Sequence, residues 1–273
     1  GGRVMGFSLE DYFQRIGYEG PTEPTLALLR QLVHLHTQNI PFENIDVLLG
    51  KPVQLEPEAV FHKLVHQRRG GYCFEQNGLM QLVLRALGYS VFALGARVRL
   101  RQRDREQFPA RTHLFLAVSI DNKYWLVDVG FGALTLTAPL LWQEFTLQHQ
   151  SREPRRLVRE GKRWFHQAWQ QDEWRDVYEF TKEPMHIADQ RVANWYTSTH
   201  PDSNFTQRLS MALALPDGGR VTLNGTSLRV LRSGQAEQRF RVGEDALSLI
   251  IEQHFGIRLN EKECAKIWRT QEH

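Results

Sequence analysis

The sequence predicts an α+β protein. Three observations carry that reading. The first third is periodic at 3.6 residues. The period changes toward 2 after Gly88 and stays there through most of the middle. Helical periodicity returns only near the end, so helices and strands are segregated rather than alternating as βαβ units. The chain has 273 residues, 41% of them hydrophobic and 24% charged, ample for a substantial core. A net charge of +3 is too small to demand a nucleic-acid partner. No run approaches the roughly 18 apolar residues that span a bilayer, so no membrane partner is expected. Two cysteines, Cys73 and Cys264, exclude a disulfide scaffold and a four-cysteine zinc site, and a reducing, cytoplasmic setting fits them. Residues 1–4 have no apolar signal core and are read as an addition ahead of a native Met5.

The elements follow in order. Ser8 with Asp11 three residues on is a capping pattern, and Gly17 with Gly20-Pro21 ends the first helix. From Thr25 an amphipathic stripe of Leu28, Leu29, Leu32 and Val33 runs to the stop at Pro41. A third helix spans about 57–67. A fourth starts at Cys73, carries Leu79, Leu82, Val83 and Ala86, and ends at Gly88 in a left-handed cap. Strands are expected at 90–101, 113–120 and 124–129, in a hairpin around Glu160-Gly161-Lys162, and at 174–180. A helix is expected at 183–197, strands at 209–215, 220–223 and 227–231, and helices at 244–255 and 260–270.

One hairpin places two polar side chains. A two-residue turn at Asp121-Asn122 pairs Leu116 with Val127 and Ala117 with Leu126. One face then collects Leu114, Leu116, Val118, Ile120, Trp125, Val127 and Val129, a continuous apolar surface that supports this register. His113 and Asp128 become diagonal neighbours on the other face, with β carbons about 7–8 Å apart, within reach of a hydrogen bond.

The segment Arg68-Arg69-Gly70-Gly71-Tyr72-Cys73 sets a thiol at a helix start, where backbone N–H groups and the macrodipole favour an anion. A Cys–His–Asp set has a mechanical meaning: a sulfur nucleophile, an acid/base imidazole and a carboxylate that fixes its tautomer. Plainer readings compete. A lone cysteine is commonly a small buried hydrophobe, which suits Cys264. A lone strand histidine is commonly structural. His34/His36 and His62/His66 stand at spacings that suit a metal, but no Glu follows His62, and no metal is expected. Arg97, Arg99, Arg101, Arg103 and Arg105 read either as a solvated strand edge or as a phosphate-contacting strip. Gly130-Phe131-Gly132 reads as a close-approach loop for a ligand.

Four blocks in this order resemble the arylamine N-acetyltransferases of bacterial type: Ile40-Pro41-Phe42-Glu43-Asn44-Ile45-Asp46, then Arg68 to Cys73, then Arg111-Thr112-His113, then Val127-Asp128-Val129-Gly130-Phe131-Gly132. The likeness is strongest over residues 8–140. It implies a helical bundle (5–89), a central antiparallel β-barrel (90–200) and an α/β lid (201–273), in a papain-like cysteine-nucleophile arrangement. It implies Cys73 as acetyl acceptor, His113 as acid/base and Asp128 as orienting carboxylate. Phe42, Tyr72 and Phe131 fall at substrate-binding positions, Gly130 and Gly132 at cofactor-binding ones, and Glu43 with Arg69 at a structural ion pair. The partners implied are acetyl-CoA and small aromatic amines or hydrazines, with O-acetylation of N-hydroxyarylamines alongside. From the residues alone, a cysteine hydrolase and a ligand-binding protein with an inert thiol stay open as rivals.

Overall fold

The structure is a computed structural model that describes residues 4–271; residues 1–3, set aside above, lie outside them. The first part is helical: α1 (Leu9–Ile16), α2 (Leu26–Asn39), α3 (Ile45–Leu48), α4 (Pro57–Phe61) running into one π-turn (His62–His66), and α5 (Cys73–Ala86). Ser8 caps α1 by accepting from the Asp11 N–H, and Gly17 closes it in the left-handed region. Tyr12, Leu29, Leu32, Val33, Phe61, Leu64 and Val83 fill the core between these helices.

The strands β1 (Ser90–Val98), β2 (Arg111–Ile120), β3 (Lys123–Val127), β4 (Leu140–Leu141), β5 (Arg155–Glu160), β6 (Arg163–Gln170) and β7 (Glu173–Pro184) form one antiparallel sheet in the order β4-β3-β2-β1-β7-β6-β5. The segment after β4 returns to the far edge, where Phe145 N–H donates to Leu157 O and Gln148 exchanges two bonds with Arg155, so the sheet curls into a nearly closed barrel. The β2–β3 register is the expected one, Leu116 opposite Val127 and Ala117 opposite Leu126. Asp121 and Asn122 both take positive φ, 51° and 63°, as a type I′ turn requires. Both faces of this hairpin are buried. Leu114, Leu116, Val118, Val127 and Val129 pack on the helices, whereas Phe115, Ala117 and Leu126 point into the barrel.

The chain continues through α6 (Ile187–Thr199) to a second sheet, β11-β10-β9-β8, built from β8 (Ser210–Ala214), β9 (Arg220–Asn224), β10 (Ser227–Leu231) and β11 (Gln238–Arg241), and closes with α7 (Glu244–Phe255) and α8 (Glu261–Thr270). Its core takes in Ile45, Leu48 and Leu49 from α3 and the residue after it. No helix among the described residues is long and apolar enough to cross a membrane.

Three expectations change. The helix expected at 183–197 starts at Ile187, because β7 runs on to Pro184 and Met185 N–H still donates to Ala93 O. The strand expected at 90–101 stops at Val98. The alternating arginines do not form one continuous strand edge. Arg99 is buried and donates to Glu179 and to the Asp104 and Gln107 carbonyls, while Arg105 clamps Asp176 and Glu160. These guanidiniums tie the loop after β1 to β5–β7.

Candidate active site

The loop that leads into Cys73 is held from several sides. A β carbon on Gly70 would lie 1.8 Å from the Pro41 carbonyl oxygen, so only glycine lets the two strands of chain meet here. The Gly70 N–H donates to Glu43 Oε2 at 3.2 Å, and the Arg69 guanidinium binds Glu43 (2.8 Å) and Asp46 (3.1 Å). This is the structural ion pair expected for Glu43 and Arg69. Arg15 donates to the Arg69 carbonyl at 3.2 Å. The Tyr72 N–H donates to Glu75 Oε1, whose other oxygen takes Lys63 at 2.6 Å. Cys73 then begins α5.

Beneath it lies a buried polar chain. Gln76 Nε2 faces the carbonyls of Ile40, Pro41 and Gly71 (3.3, 2.8 and 3.3 Å), so its Oε1 must accept from His36 Nε2, at 2.6 Å. His36 Nδ1 in turn accepts from the Tyr12 hydroxyl at 2.7 Å. Burial drives the His36 pKa down to about 4, so the ring is neutral.

The hairpin delivers the other two groups. His113 Nε2 and Asp128 Oδ2 are 2.6 Å apart, and the Cys73 sulfur lies close enough to the ring to raise its proton affinity. The thiol also lies 3.8 Å from the Thr112 carbonyl. Burial works against a charged imidazole, but the Asp128 carboxylate and the sulfur outweigh it and carry the His113 pKa up to about 10. Burial likewise opposes ionisation of Asp128. The His113 charge overcomes it, aided by donors from Asn77 (3.0 Å to Oδ1), Gly130 N–H (3.1 Å to Oδ1) and the Tyr178 hydroxyl (3.0 Å to Oδ2), and holds the carboxyl below its usual value.

Phe131 stands edge-on to His113, ring centroids 4.9 Å apart. Phe42 bridges two parts of the molecule: its backbone pairs with Gly71 and with Ala212 of β8, and its ring lies near Gly132 and Phe205. A narrow cleft lined by Gly132, Thr135, Arg152, Ala212 and Arg220 opens beside them. A β carbon on Gly130 would sit 2.9 Å from Cys73 Cα, so Gly130 lets the aspartate loop close onto the helix start; Gly132 has a φ of 100°. Tyr72 is placed behind Cys73: its buried hydroxyl donates to Asn194, and its ring packs on Phe74 and Phe205. Sequence reasoning missed Asn77, Gln76, Tyr178 and Phe205. Asn77, four residues beyond Cys73, shares its helix face, a signal that was available. Nothing local points to Tyr178 or Phe205. Cys264 is buried in α8, and among the described residues no cluster of His, Cys, Asp and Glu is placed to hold a metal ion.

A thiol at a helix head near a hydrogen-bonded imidazole–carboxylate pair is a grouping suited to cysteine-based acyl transfer. The sequence pattern of the N-acetyltransferase family matches residues 25–264. The chain is 43% identical over 262 residues to the arylamine N-acetyltransferase of Mycolicibacterium smegmatis, covering 94% of each. It is 37% identical over 254 residues to the arylamine N-acetyltransferase / N-hydroxyarylamine O-acetyltransferase of Salmonella typhimurium, covering 93% of this chain and 90% of that one. The structure of the Mycobacterium marinum arylamine N-acetyltransferase in complex with CoA superposes with a TM-score of 0.91 at 40% identity, covering 97% of this chain and all of that one. The chain belongs to the arylamine N-acetyltransferase family.

Proposed function

We propose that the protein moves an acetyl group from acetyl-CoA to the nitrogen of arylamines, hydrazines or arylhydrazines, through acetyl-Cys73. The observation that carries this is the 2.6 Å His113–Asp128 bond, with the Cys73 thiol 3.8 Å from the carbonyl of the adjoining Thr112. The Cys73 sulfur, its proton held by His113, attacks the thioester carbon. The oxyanion that forms faces the backbone N–H groups at the head of α5. It collapses, the carbon–sulfur bond to CoA breaks, and CoA leaves with a proton from His113. Exchange of one thioester for another is nearly balanced, so the acetyl group stays transferable. The amine then attacks acetyl-Cys73, its proton passes to His113, and the amide forms as the sulfur departs. Kinetics are ping-pong. Phe42 and Phe131 offer the aromatic ring apolar surface, worth about 25 cal/mol per Å² buried. Tyr72 backs that wall, the CoA arm passes Gly132 at the cleft mouth, and Gly130 keeps the loop against the helix. The same acetyl-enzyme serves O-acetylation of N-hydroxyarylamines, the second activity in the Salmonella relative's name. A cytoplasmic setting and a role in clearing foreign amines accord with this chemistry.

Mass spectrometry after acetyl-CoA treatment tests the reading. One acetyl group on Cys73 is expected, absent from Cys73→Ser and discharged by an arylamine. Label on Cys264, or turnover without label on Cys73, would overturn it.

A further inference from the structure

The barrel interior holds a cation that the reaction above does not use. Arg155, the first residue of β5, is 2% exposed, at the foot of the cleft lined by Gly132, Thr135 and Arg220. Its guanidinium meets no carboxylate at ion-pair distance among the described residues. It donates to the Leu134 carbonyl (2.9 Å), the Glu153 carbonyl (3.3 Å) and His166 Nε2 (3.1 Å). An arginine only donates, so His166 Nε2 accepts and Nδ1 carries the ring proton. That Nδ1 is buried with no hydrogen-bond partner. His166 and Tyr178 are cross-strand partners, their rings edge to face with centroids 4.7 Å apart, and the Tyr178 hydroxyl donates to Asp128 Oδ2. An unbroken line of packed groups therefore runs Arg155, His166, Tyr178, Asp128, His113.

We infer that Arg155, seated through His166 and Tyr178, is a positioning residue that sets the proton affinity of the His113–Asp128 pair. The inference rests on the acetyl-enzyme reading. Charges inside a poorly polarisable barrel are felt across several ångströms. The charged or titratable groups facing His113 and Asp128 are each other, Cys73, Tyr178, His166 and Arg155; those facing Arg155 are Glu153, Arg220, Tyr178, His166 and Asp128. Glu153 is engaged by Arg220 at 2.5 Å and acts on Arg155 as well, so it offsets the Arg155 charge only in part. In the second half-reaction the amine nitrogen bonds to the acetyl carbon, the carbon–sulfur bond breaks, and the nitrogen's proton goes to His113. His113 must be neutral to take it. A fixed cation behind Asp128 favours that neutral ring and keeps Asp128 ionised while the ring is uncharged.

The test follows discharge of pre-acetylated enzyme by an excess of aniline against pH, in single turnovers. The native rate rises with pH through one midpoint. Arg155→Met is expected to move that midpoint up by about one pH unit, and Arg155→Lys to restore most of the shift. Glu153→Gln removes the opposing carboxylate and is expected to move it down, a readout that survives even if Arg155→Met does not fold. CoA released on acetylation is measured in each variant. A midpoint unmoved in Glu153→Gln and in every folded Arg155 variant, with acetyl-Cys73 still forming, overturns this inference alone. A native chain that never takes the acetyl group overturns the acetyl-enzyme reading, and this inference with it.

Discussion

At the scale of single residues, the site is a set of fully committed hydrogen bonds. Asp128 accepts from His113, Asn77, Gly130 and Tyr178, and Gln76 and His36 leave each other no alternative tautomer or flip. The placement of the three proposed reacting side chains was legible because each sits on a local signal: a glycine turn before a helix for Cys73, a hairpin register for His113 and Asp128. Tyr178 was not legible, because its reach to Asp128 depends on where β7 pairs across the barrel, fifty residues on. His36 gives a pH prediction. Its pKa is about 4 in the folded chain against about 6.5 unfolded. Between those values the unfolded chain binds the extra proton, so stability falls as pH drops from 6.5 to 4, by roughly 3 kcal/mol in total. His113 adds nothing there, since its folded pKa of about 10 leaves it protonated in both states below pH 6. Urea unfolding of the native chain and of His36→Gln between pH 4.5 and 7 checks this; the two curves of stability against pH should diverge toward acid, the variant's being flatter. Parallel curves would show that His36 is not held neutral.

At the scale of elements, side-chain alternation fixed the β2–β3 pairing because a one-residue slip would carry Leu114, Leu116 and Val118 off the helical core. β4 escaped the sequence because two residues, even with Leu140 buried, are too few to leave an alternating trace, and β11 because all four of its residues are exposed. The alternating arginines misled for the converse reason. Their spacing looks like a strand, yet the chain turns after Val98 and each guanidinium finds its own partner. The hairpin carries the imidazole and carboxylate, and the α5 start carries the sulfur, so the contact between these elements decides the geometry. Gly130 is that contact. In Gly130→Ala the new β carbon would stand 2.8 Å from Gln76 Cβ and 2.9 Å from Cys73 Cα, both too rigid to yield by a rotamer change. A loss of about 1–3 kcal/mol is expected. Alkylation of Cys73 by iodoacetamide should slow at temperatures where the variant is still folded, since His113 is pushed back with the loop. Native alkylation rates in a destabilised variant would mean the loop relaxes without moving the ring.

At the scale of the whole molecule, the second sheet with its two helices is built into the site. Its core includes Ile45, Leu48 and Leu49, which lie between the Phe42 block and the loop that leads into Cys73. β8 meets Phe42 in two backbone bonds, Phe42 N–H to Ala212 O at 2.9 Å and Ala212 N–H to Phe42 O at 3.1 Å. Asn44 ties the same junction. Its buried amide donates to the carbonyls of Phe205 (2.9 Å) and Arg208 (2.8 Å) and accepts from the Ser210 N–H (2.8 Å). The aromatic wall of Phe42 and Phe205 is therefore held by the seam between the first and last parts of the chain, whereas Cys73, His113 and Asp128 are held by α5 and the barrel. The two halves of the reaction should respond differently when the seam is loosened. Asn44→Ala strands two carbonyls and an N–H, each costing about 1–3 kcal/mol if it stays buried. The acceptor KM should rise severalfold, and the CoA burst from acetylation of Cys73 should change by less than twofold. Equal losses in both half-reactions would show instead that the seam also holds the nucleophile.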